Sequence, residues 1–367
     1  MDEAEFLEWL GGARRLTPAQ RRHTFRALVL AEASAGLDDE EIEFCTEAVN
    51  AGAPGVKSGE TVVSTGPRAS ASLERPGLDV VAGVGQRRVA SMGCPHCGNR
   101  DVILWGKANG LPRYRCQGCR RTFNGLTKTP LARLRKREKW QEQAQSMIDG
   151  VTASKAAERC EVDYKTAFRW RHRFLDSLAL DKPNTLSGIV EGDETFILES
   201  FKGKRSDLPR DPRKRGGKAA KRGLSTEQIP VIVVRDRSGA TLDAVLPKLD
   251  RASVTGALGG VITPANQFCC DGGKAIVAFA RKAGIPHHVL PAPGKPRPDA
   301  PEFHINNVNA YHGRLKEWMH RFHGVATKNL PNYLGWRRAL EAFGEQVSPE
   351  GWILGAAGIG PYQQLTP

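Results

Sequence analysis

Four cysteines constrain this sequence more tightly than any other feature. They form two C-x-x-C pairs, Cys94/Cys97 and Cys116/Cys119, separated by 18 residues. Each pair sits on a tight turn with a glycine, and together they supply the four thiolates that tetrahedral Zn²⁺ takes in a closed structural site. Redox-active cysteines are the alternative, but paired C-x-x-C units in a reducing compartment favour metal ligation. We predict a zinc ribbon over residues 90–125 with one structural Zn²⁺.

The charge of the chain indicates the class of its partner. The formal net charge is +14 in 367 residues, an excess that favours a polyanion, most often nucleic acid. An anionic membrane is the rival, but the sequence has no long apolar or strongly amphipathic anchor. The acidic start, "MDEAEFLEWLGG", lacks the features of a signal peptide. We expect a cytoplasmic protein that binds double-stranded DNA and no membrane.

Composition and periodicity divide the rest of the chain. We predict N-terminal helices over residues 1–50, because "TPAQRRHTFRALVLAEAS" has a Thr cap, a Pro at the first helical position and a helical apolar pattern. Residues 51–89 are rich in Gly, Pro and Ser without periodicity, which predicts a linker. Short β-rich runs alternating with helices occupy 186–345, and residues 346–367 read as a tail with little core-forming content. The expected fold class is therefore multidomain.

Residues 130–180 have the pattern of a helix-turn-helix unit. "SKAAERC" would be its short second helix and "YKTAFRWRHRF" its third. Small and apolar residues fall where the core of such a unit lies: Ala156, Ala157, Val162, Ala167 and Trp170. The third helix would present to DNA the residues Lys165, Arg169 and Arg173, together with Tyr164, Thr166 and Arg171. An ordinary basic helical hairpin is the alternative.

The β-rich half carries an acid within one strand pattern and another at the end of a second pattern. Asp193 lies in the strand pattern "SGIVEGDETFI", and Asp271 ends the apolar strand "QFCCD" before two glycines. A carboxylate in a run suited to burial needs a partner or a metal. The order of three strands, helix, strand, helix, strand and helix matches the α/β ribonuclease-H-like fold. In that fold two aspartates on neighbouring strands and a ligand on a late helix converge on two Mg²⁺ ions, which take oxygen ligands.

The combination of zinc ribbon, helix-turn-helix and "GDET…CCDGG…NVNAYHGRLKEWM" resembles bacterial insertion-sequence transposases of the DDE superfamily. It is most similar to the family numbered fifteen-ninety-five, and the resemblance covers most of the chain. It implies that Asp193 is the first catalytic aspartate and Asp271 the second, both as Mg²⁺ ligands. We therefore expect a catalytic domain over residues 186–345.

The resemblance also assigns the late helix. In the superfamily the third acid comes seven residues before a Lys, and here that position is Asn309, seven residues before Lys316. This implies an Asp-Asp-Asn-Lys variant in which Asn309 is a neutral magnesium ligand and Lys316 holds a DNA phosphate. A capping Asn and a solvated Lys are the alternatives. The missing negative charge implies help from Glu194, His304 or His312, although Glu194 should point to the opposite face of a regular strand and is by default structural.

A strongly basic segment lies between the first two strands. "FKGKRSDLPRDPRKRGGKAAKRG" has too few apolar residues to pack, so we expect a loop that neutralises phosphates. Its central cations are Arg213, Lys214 and Arg215. A solubility insert is the alternative.

Together these features predict a bacterial, nucleoid-associated transposase. It would recognise terminal inverted repeats, cleave the transposon ends and join them to target DNA with Mg²⁺, as a homo-oligomer on DNA. The alternative is a non-catalytic DNA-binding regulator derived from a transposase.

Overall fold

The computed structural model describes residues 77–364, except for a few positions in two loops: 205, 212–216, 218, 221–224 and 291–298. The predicted N-terminal helices of residues 1–50 therefore lie outside the described residues. The described residues all belong to one of the two compact units of the chain, which spans Ser72–Pro367.

The first described element, helix α1, spans Leu78–Met92. The prediction of a linker up to residue 89 is therefore wrong in its last part. Val81 and Val84 lie one turn apart and are buried in the same core as Leu126 and Leu131, which follow the ribbon. Gly85 resembled linker composition, but its backbone touches Gly125 so closely that a Cβ on Gly125 would lie 2.2 Å from the Cα of Gly85. These glycines allow a close packing contact.

The ribbon is a three-stranded antiparallel sheet in the order β1-β2-β3. Its strands are Val102–Ala108, Leu111–Cys116 and Thr122–Asn124. Tyr114 on β2 pairs with Phe123 on β3, and their rings stack 5.8 Å apart. Phe123 is buried with Cys94, Cys116 and Val89 of α1 in a small core of its own. The sheet thus holds both cysteine pairs at one end.

Three helices follow where the sequence predicts them: α2, Trp140–Ile148; α3, Ala153–Cys160; and α4, Tyr164–Leu180. Side chains cap two of them, because Thr152 accepts from the N–H of Lys155 and Asp163 from that of Lys165. Ala156, Ala167 and Trp170 are buried, as expected.

The expectation that Arg171 is exposed is wrong. Its side chain is buried, donates to the carbonyl of Val151 at 2.7 Å and lies over the rings of Phe322 and Trp336. The helix face that carries Arg171 is covered by C-terminal residues that the local pattern of α4 does not contain.

A five-stranded mixed sheet forms the second half. In chain order its strands are β4, Ile189–Leu198; β5, Gln228–Asp236; β6, Thr241–Val245; β7, Gln267–Cys270; and β8, His287–Val289. Their order in the sheet is β6-β5-β4-β7-β8. β4, β5 and β6 are antiparallel neighbours, whereas β7 pairs parallel to β4, and β8 parallel to β7. Helix α5, Arg251–Leu258, follows β6, and α6, Lys274–Lys282, follows β7. The predicted order of elements is confirmed and is consistent with a ribonuclease-H-like domain.

The two faces of this sheet serve different cores. On β5, Val231 and Val233 belong to the larger core, which also contains Tyr311 of α7, Asn306–His320. Ile232 and Val234 belong to the core that α5 and α6 cover. This alternation follows from the two-residue period of a strand. It fixes which side of β4 faces α7.

The C-terminal part is not a tail. Helices α8, Leu330–Phe343, α9, Pro349–Ala356, and the short α10, Pro361–Gln364, follow α7. Trp336 and Trp352 are fully buried in the larger core. That core also contains Trp140 of α2 and Phe174 of α4. The boundary predicted near residue 180 therefore does not separate two cores, because the short helices bury their large apolar side chains against C-terminal helices. In the part of the chain described, no helix is both long enough and apolar enough to span a membrane.

Candidate metal centres and active site

The four cysteines of the ribbon converge. The Sγ atoms of Cys94 and Cys119 are 3.7 Å apart, those of Cys97 and Cys116 are 3.6 Å apart, and all four lie within 4.8 Å of one another. Four thiolates at about 2.3 Å from a tetrahedral Zn²⁺ are separated by about 3.8 Å. The donor set therefore fits zinc.

The turns of the ribbon bring backbone amides close to two of the sulfur atoms. The backbone N–H of Cys119 points at Sγ of Cys116 at 3.4 Å, and that of His96 points at Sγ of Cys94 at the same distance. The first contact is the leading cause that lowers the pKa of Cys116 to about 7. Gly98 has φ +76°, a left-handed conformation that glycine adopts without strain. Both turns thus direct amide donors at the sulfur atoms.

The two predicted aspartates also meet. Asp193 lies in β4, and Asp271 follows directly after β7. The parallel pairing of these strands ends at Gly192 opposite Cys270, one residue before each aspartate. Both carboxylates therefore lie side by side at the point where β7 ends and no longer pairs with β4. Their oxygen atoms lie within 4.8 Å of each other and of a third carboxylate, Glu194.

Glu194 is the residue that sequence reasoning undervalued. It pairs with Ile232, whose side chain lies on the face covered by α5 and α6, so it does leave the sheet on the face opposite to Asp193. Because β7 has ended, the edge of β4 is open there and both carboxylates reach it. The Oε2 atom of Glu194 is buried and has no hydrogen-bond partner among the described residues. A Cβ at Gly273 would lie 3.1 Å from that atom, so the glycine leaves room beside the carboxylate.

The acidic cluster, defined as Asp193, Glu194 and Asp271, concentrates negative charge. Burial, followed by the charges of Asp271 and Glu194, raises the pKa of Asp193 to about 7. Burial and the charge of Asp271 likewise raise the pKa of Glu194. Three carboxylates held together at this cost, with one buried oxygen atom left unsatisfied, form the oxygen-rich donor set that Mg²⁺ prefers. The residues fit a divalent cation.

Helix α7 brings a histidine to the cluster. Nδ1 of His312 lies 3.6 Å from Oδ2 of Asp193, and its buried Nε2 atom has no hydrogen-bond partner in the part of the chain that the structure describes. Burial and the nearby Lys316 lower the pKa of His312 to about 4, so the imidazole is neutral at neutral pH. The charge of Lys316 reaches Asp193 as well, since it opposes the rise of that pKa.

Asn309 and Lys316 flank His312 on one face of α7. They lie three residues before and four residues after it, which places all three on the same side of a helix. Both side chains are exposed. The assignment of Asn309 as a ligand and of Lys316 as a phosphate contact stays a prediction.

Glu191 orients this helix and was not identified from the sequence. Its buried carboxylate accepts from the N–H groups of Asn307 and Val308 at 2.7 and 3.0 Å, in the first turn of α7. Helix α7 has no side-chain cap of its own at Ile305. The carboxylate thus caps the helix from β4, two residues before Asp193. His304 lies 3.2 Å from the same carboxylate and hydrogen-bonds Arg237, so it does not belong to the acidic cluster.

The predicted DNA contacts fall into three groups. Lys165 and Arg169 are exposed on α4. Arg173 is half-buried, and its guanidinium group donates to the carbonyls of Pro130 and Ala132. The cations predicted in the basic loop lie outside the described residues: Arg213, Lys214 and Arg215.

Comparison with known proteins identifies the sheet domain. Residues 185–337 match the family model of the ISXO2-like transposase domain. An uncharacterized protein in transposable element ISH50 of Halobacterium salinarum is 35% identical over 150 residues, which are 39% of this chain and 49% of that protein. The match thus spans about half the length of that relative.

Two solved structures are also similar in part. A pre-cleavage Mos1 transpososome is 16% identical and a Mos1 strand transfer complex 18% identical, with TM-scores of 0.22 and 0.21. Each likeness covers 60% of this chain and 78% of the other. Scores of this size are too low to compare the folds.

The matched segment contains β4 with Asp193, the end of β7 with Asp271, and α7. The resemblance that the motifs indicate is therefore confirmed by an independent family match. Residues 185–337 are thus similar to the ISXO2-like transposase domain, and this match supports an insertion-sequence transposase of the DDE type.

Proposed function

We propose that this protein cleaves DNA at the ends of an insertion sequence and joins the freed ends to target DNA in a Mg²⁺-dependent reaction. The observation that carries the proposal is the acidic cluster at the open edge of β4, with Lys316 within electrostatic reach of Asp193. A cluster of carboxylates beside a cation is suited to a negatively charged phosphodiester and its metal ions.

The magnesium ligands in this proposal are Asp193, Asp271, Glu194 and Asn309. Glu194 supplies the third negative charge that an asparagine at position 309 does not provide. Bound Mg²⁺ would neutralise the phosphate and make the attacking oxygen more nucleophilic, and a pair of ions is the arrangement expected from the resemblance.

The protein's own side chains have distinct roles in this reaction. Lys316 holds a phosphate oxygen. His312 is neutral, and its Nδ1 atom packs 3.6 Å from Oδ2 of Asp193. Water first displaces the 3′ oxygen of a strand from phosphorus and leaves a 3′-hydroxyl and a 5′-phosphate. The freed hydroxyl then attacks a target phosphodiester and releases a new 3′-hydroxyl.

Recognition of the ends belongs to the N-terminal part of the described structure. In this proposal α4 enters the major groove and contacts bases or phosphates through Lys165, Arg169 and Arg173, while the ribbon supports it. The loop with Arg213, Lys214 and Arg215 neutralises phosphates. The active form is a homo-oligomer on the two ends, and the protein works at the bacterial nucleoid.

Strand transfer with end-containing DNA tests the catalytic proposal. We expect product with Mg²⁺ and none with a chelator. Asp193→Ala and Asp271→Ala should abolish cleavage and preserve end binding, whereas Asp101→Ala, an exposed acid in the ribbon, should behave as wild type. Cleavage by either aspartate variant at the wild-type rate would refute the mechanism and leave the DNA-binding regulator as the better account.

Two further variant sets separate the individual roles. Asn309→Ala should lose most activity and Asn309→Asp should retain it, since an oxygen ligand is what the position supplies. Substituting Lys165, Arg169 and Arg173 should weaken end binding. Loss of a base contact is selective for the end sequence at about 1–3 kcal/mol, whereas loss of a phosphate contact weakens binding to all DNA.

A further inference from the structure

The segment that joins the ribbon to α2, residues 126–137, has an ordered but irregular backbone. The side chains of Leu126, Leu131 and Leu134 are buried in the larger core. The N–H and hydroxyl of Thr129 both donate to the carbonyl of Leu126, and short turns continue from there to Leu134. The segment is therefore held in place from beneath.

The backbone of this segment is left-handed at three cations. Lys128, Arg133 and Lys136 have φ angles of 60°, 63° and 54°. This conformation is unfavourable for a residue with a Cβ, and Gly or Asn is its usual occupant. A segment that served only as a connection would have no reason to keep long basic side chains there. Such strain at charged, exposed positions points to a function of the side chains.

The segment and α4 enclose a groove. Two adjoining cavities of about 490 and 650 Å³ share Arg133, Leu134 and Arg169 in their walls. Lys128, Arg135 and Lys136 also line these cavities. We call the surface formed by Lys128, Arg133, Arg135, Lys136 and Arg169 the basic groove. Arg173 fixes its floor, because its guanidinium group binds the backbone carbonyls of the segment.

The charges of the basic groove are not neutralised by the protein. Among the described residues, none of Lys128, Arg133, Arg135 and Lys136 forms an ion pair. Neighbouring cations do, since Lys139 pairs with Glu161 at 2.6 Å. In the sequence of residues 126–139 the only acid is Glu138. Exposed cations in a concave surface add to one strong positive potential.

We infer that the basic groove binds the phosphate backbone of the DNA duplex beside the major groove that α4 enters. The inference rests on the proposed function and adds a second contact surface to it. Lysine and arginine side chains on a rigid backbone give binding that is independent of sequence, and such contacts set the register of a recognition helix on the duplex. If the groove bound a protein or an RNA instead, the groove variant in the test below would not lose affinity for both DNA duplexes.

The test compares two triple variants of the full chain that remove the same charge. The first is Arg133→Asn, Arg135→Gln and Lys136→Asn, with Asn at the left-handed positions because it tolerates that backbone. The control removes three cations that already have carboxylate partners, through Arg87→Gln, Lys139→Gln and Arg159→Gln. Fluorescence anisotropy then measures the Kd for an end-containing duplex, a scrambled duplex and a duplex RNA over a series of salt concentrations.

For the first variant we expect the affinity for both DNA duplexes to fall by about ten-fold or more at 0.1 M salt. The slope of log K against log salt should flatten by about 2–3, since each phosphate contact contributes roughly 0.9. The control should keep the wild-type slope. Lys128→Gln alone should flatten the slope by about 1 and provides a second readout if the triple variant melts early.

Four outcomes would overturn the inference. These are an unchanged slope for the first variant, an equal change for the control, a loss confined to the end sequence, and a loss confined to RNA. In each case wild-type binding to the ends would leave the proposed function standing. If the wild-type protein bound neither DNA, the proposed function would fail and this inference with it.

Discussion

Asp193→Asn should stabilise the metal-free protein while it removes activity. Burial of the Asp193 carboxylate and the negative charges of Asp271 and Glu194 together raise its pKa from an ordinary 3.8 to about 7. An asparagine keeps the oxygen atom that accepts the N–H of Glu194 at 2.9 Å. The substitution therefore removes the charge and preserves the shape of the site.

The magnitude follows from the difference between the folded and unfolded pKa of Asp193. Below pH 3.8 the carboxyl group is protonated in both states and has no effect. As the pH rises towards 7 the folded state holds a proton that the unfolded state has lost, so the free energy of unfolding falls. Above pH 7 the free energy of unfolding has fallen by about 4 kcal/mol from its value at low pH, and it falls no further through this group. Asp193→Asn should recover most of it at about pH 8 and almost none at about pH 3.5.

Urea denaturation in the presence of a chelator, from about pH 3.5 to pH 8, measures this gain. Asp271→Asn is the matched control, because Asp271 is exposed and should yield a smaller increase. Saturating Mg²⁺ should raise the stability of the wild-type protein and leave that of Asp193→Asn nearly unchanged. A variant no more stable than wild type at high pH, or equally more stable at every pH, would show that the acidic cluster carries no such penalty.

Three further predictions concern other parts of the structure. Cys94→Ser should reduce the zinc content from one ion per chain and lower the melting temperature of the ribbon, as measured by metal analysis and thermal denaturation; full zinc occupancy would contradict the site. Arg338→Met leaves the buried carboxylate of Asp243 unpaired and should cost about 3–5 kcal/mol in urea denaturation; a loss below about 1 kcal/mol would contradict this. Glu191→Ala removes the cap of α7 and should reduce both stability and strand transfer, whereas Glu191→Gln, which keeps an acceptor for the helix amides, should recover the stability; equal behaviour of the two would exclude the capping role.

Features carried by local spacing could be predicted from the sequence. The ribbon follows from two C-x-x-C pairs, because the ligands of each pair lie on one turn. Asp193 lies within one strand pattern and Asp271 directly follows another, and the parallel pairing of these strands places the two acids side by side. The order of strands and helices in the second half was predictable for the same reason, since periodicity is a property of each segment.

Features that depend on distant segments could not be predicted in this way. Arg171 looked like a surface cation of α4, but Phe322 and Trp336 cover it. Residues 78–89, the last part of the predicted linker, showed no helical pattern of their own, because the residues that share a core with Val81 and Val84 lie further along the chain. Trp352 looked like part of a tail because its contacts are with helices formed far earlier in the chain.

The sequence by itself therefore indicated the donor residues of the two candidate metal centres, because cysteine spacing and acids in strand patterns are local properties. The tertiary structure decided which other groups join that chemistry. Glu194 enters the acidic cluster only because β7 ends opposite Gly192 and opens the edge of β4. Glu191 becomes a helix cap only because α7 packs across the same strand. The roles of Glu194 and Glu191 both depend on contacts between segments far apart in the chain. A local sequence pattern does not show which distant segments lie close together in space.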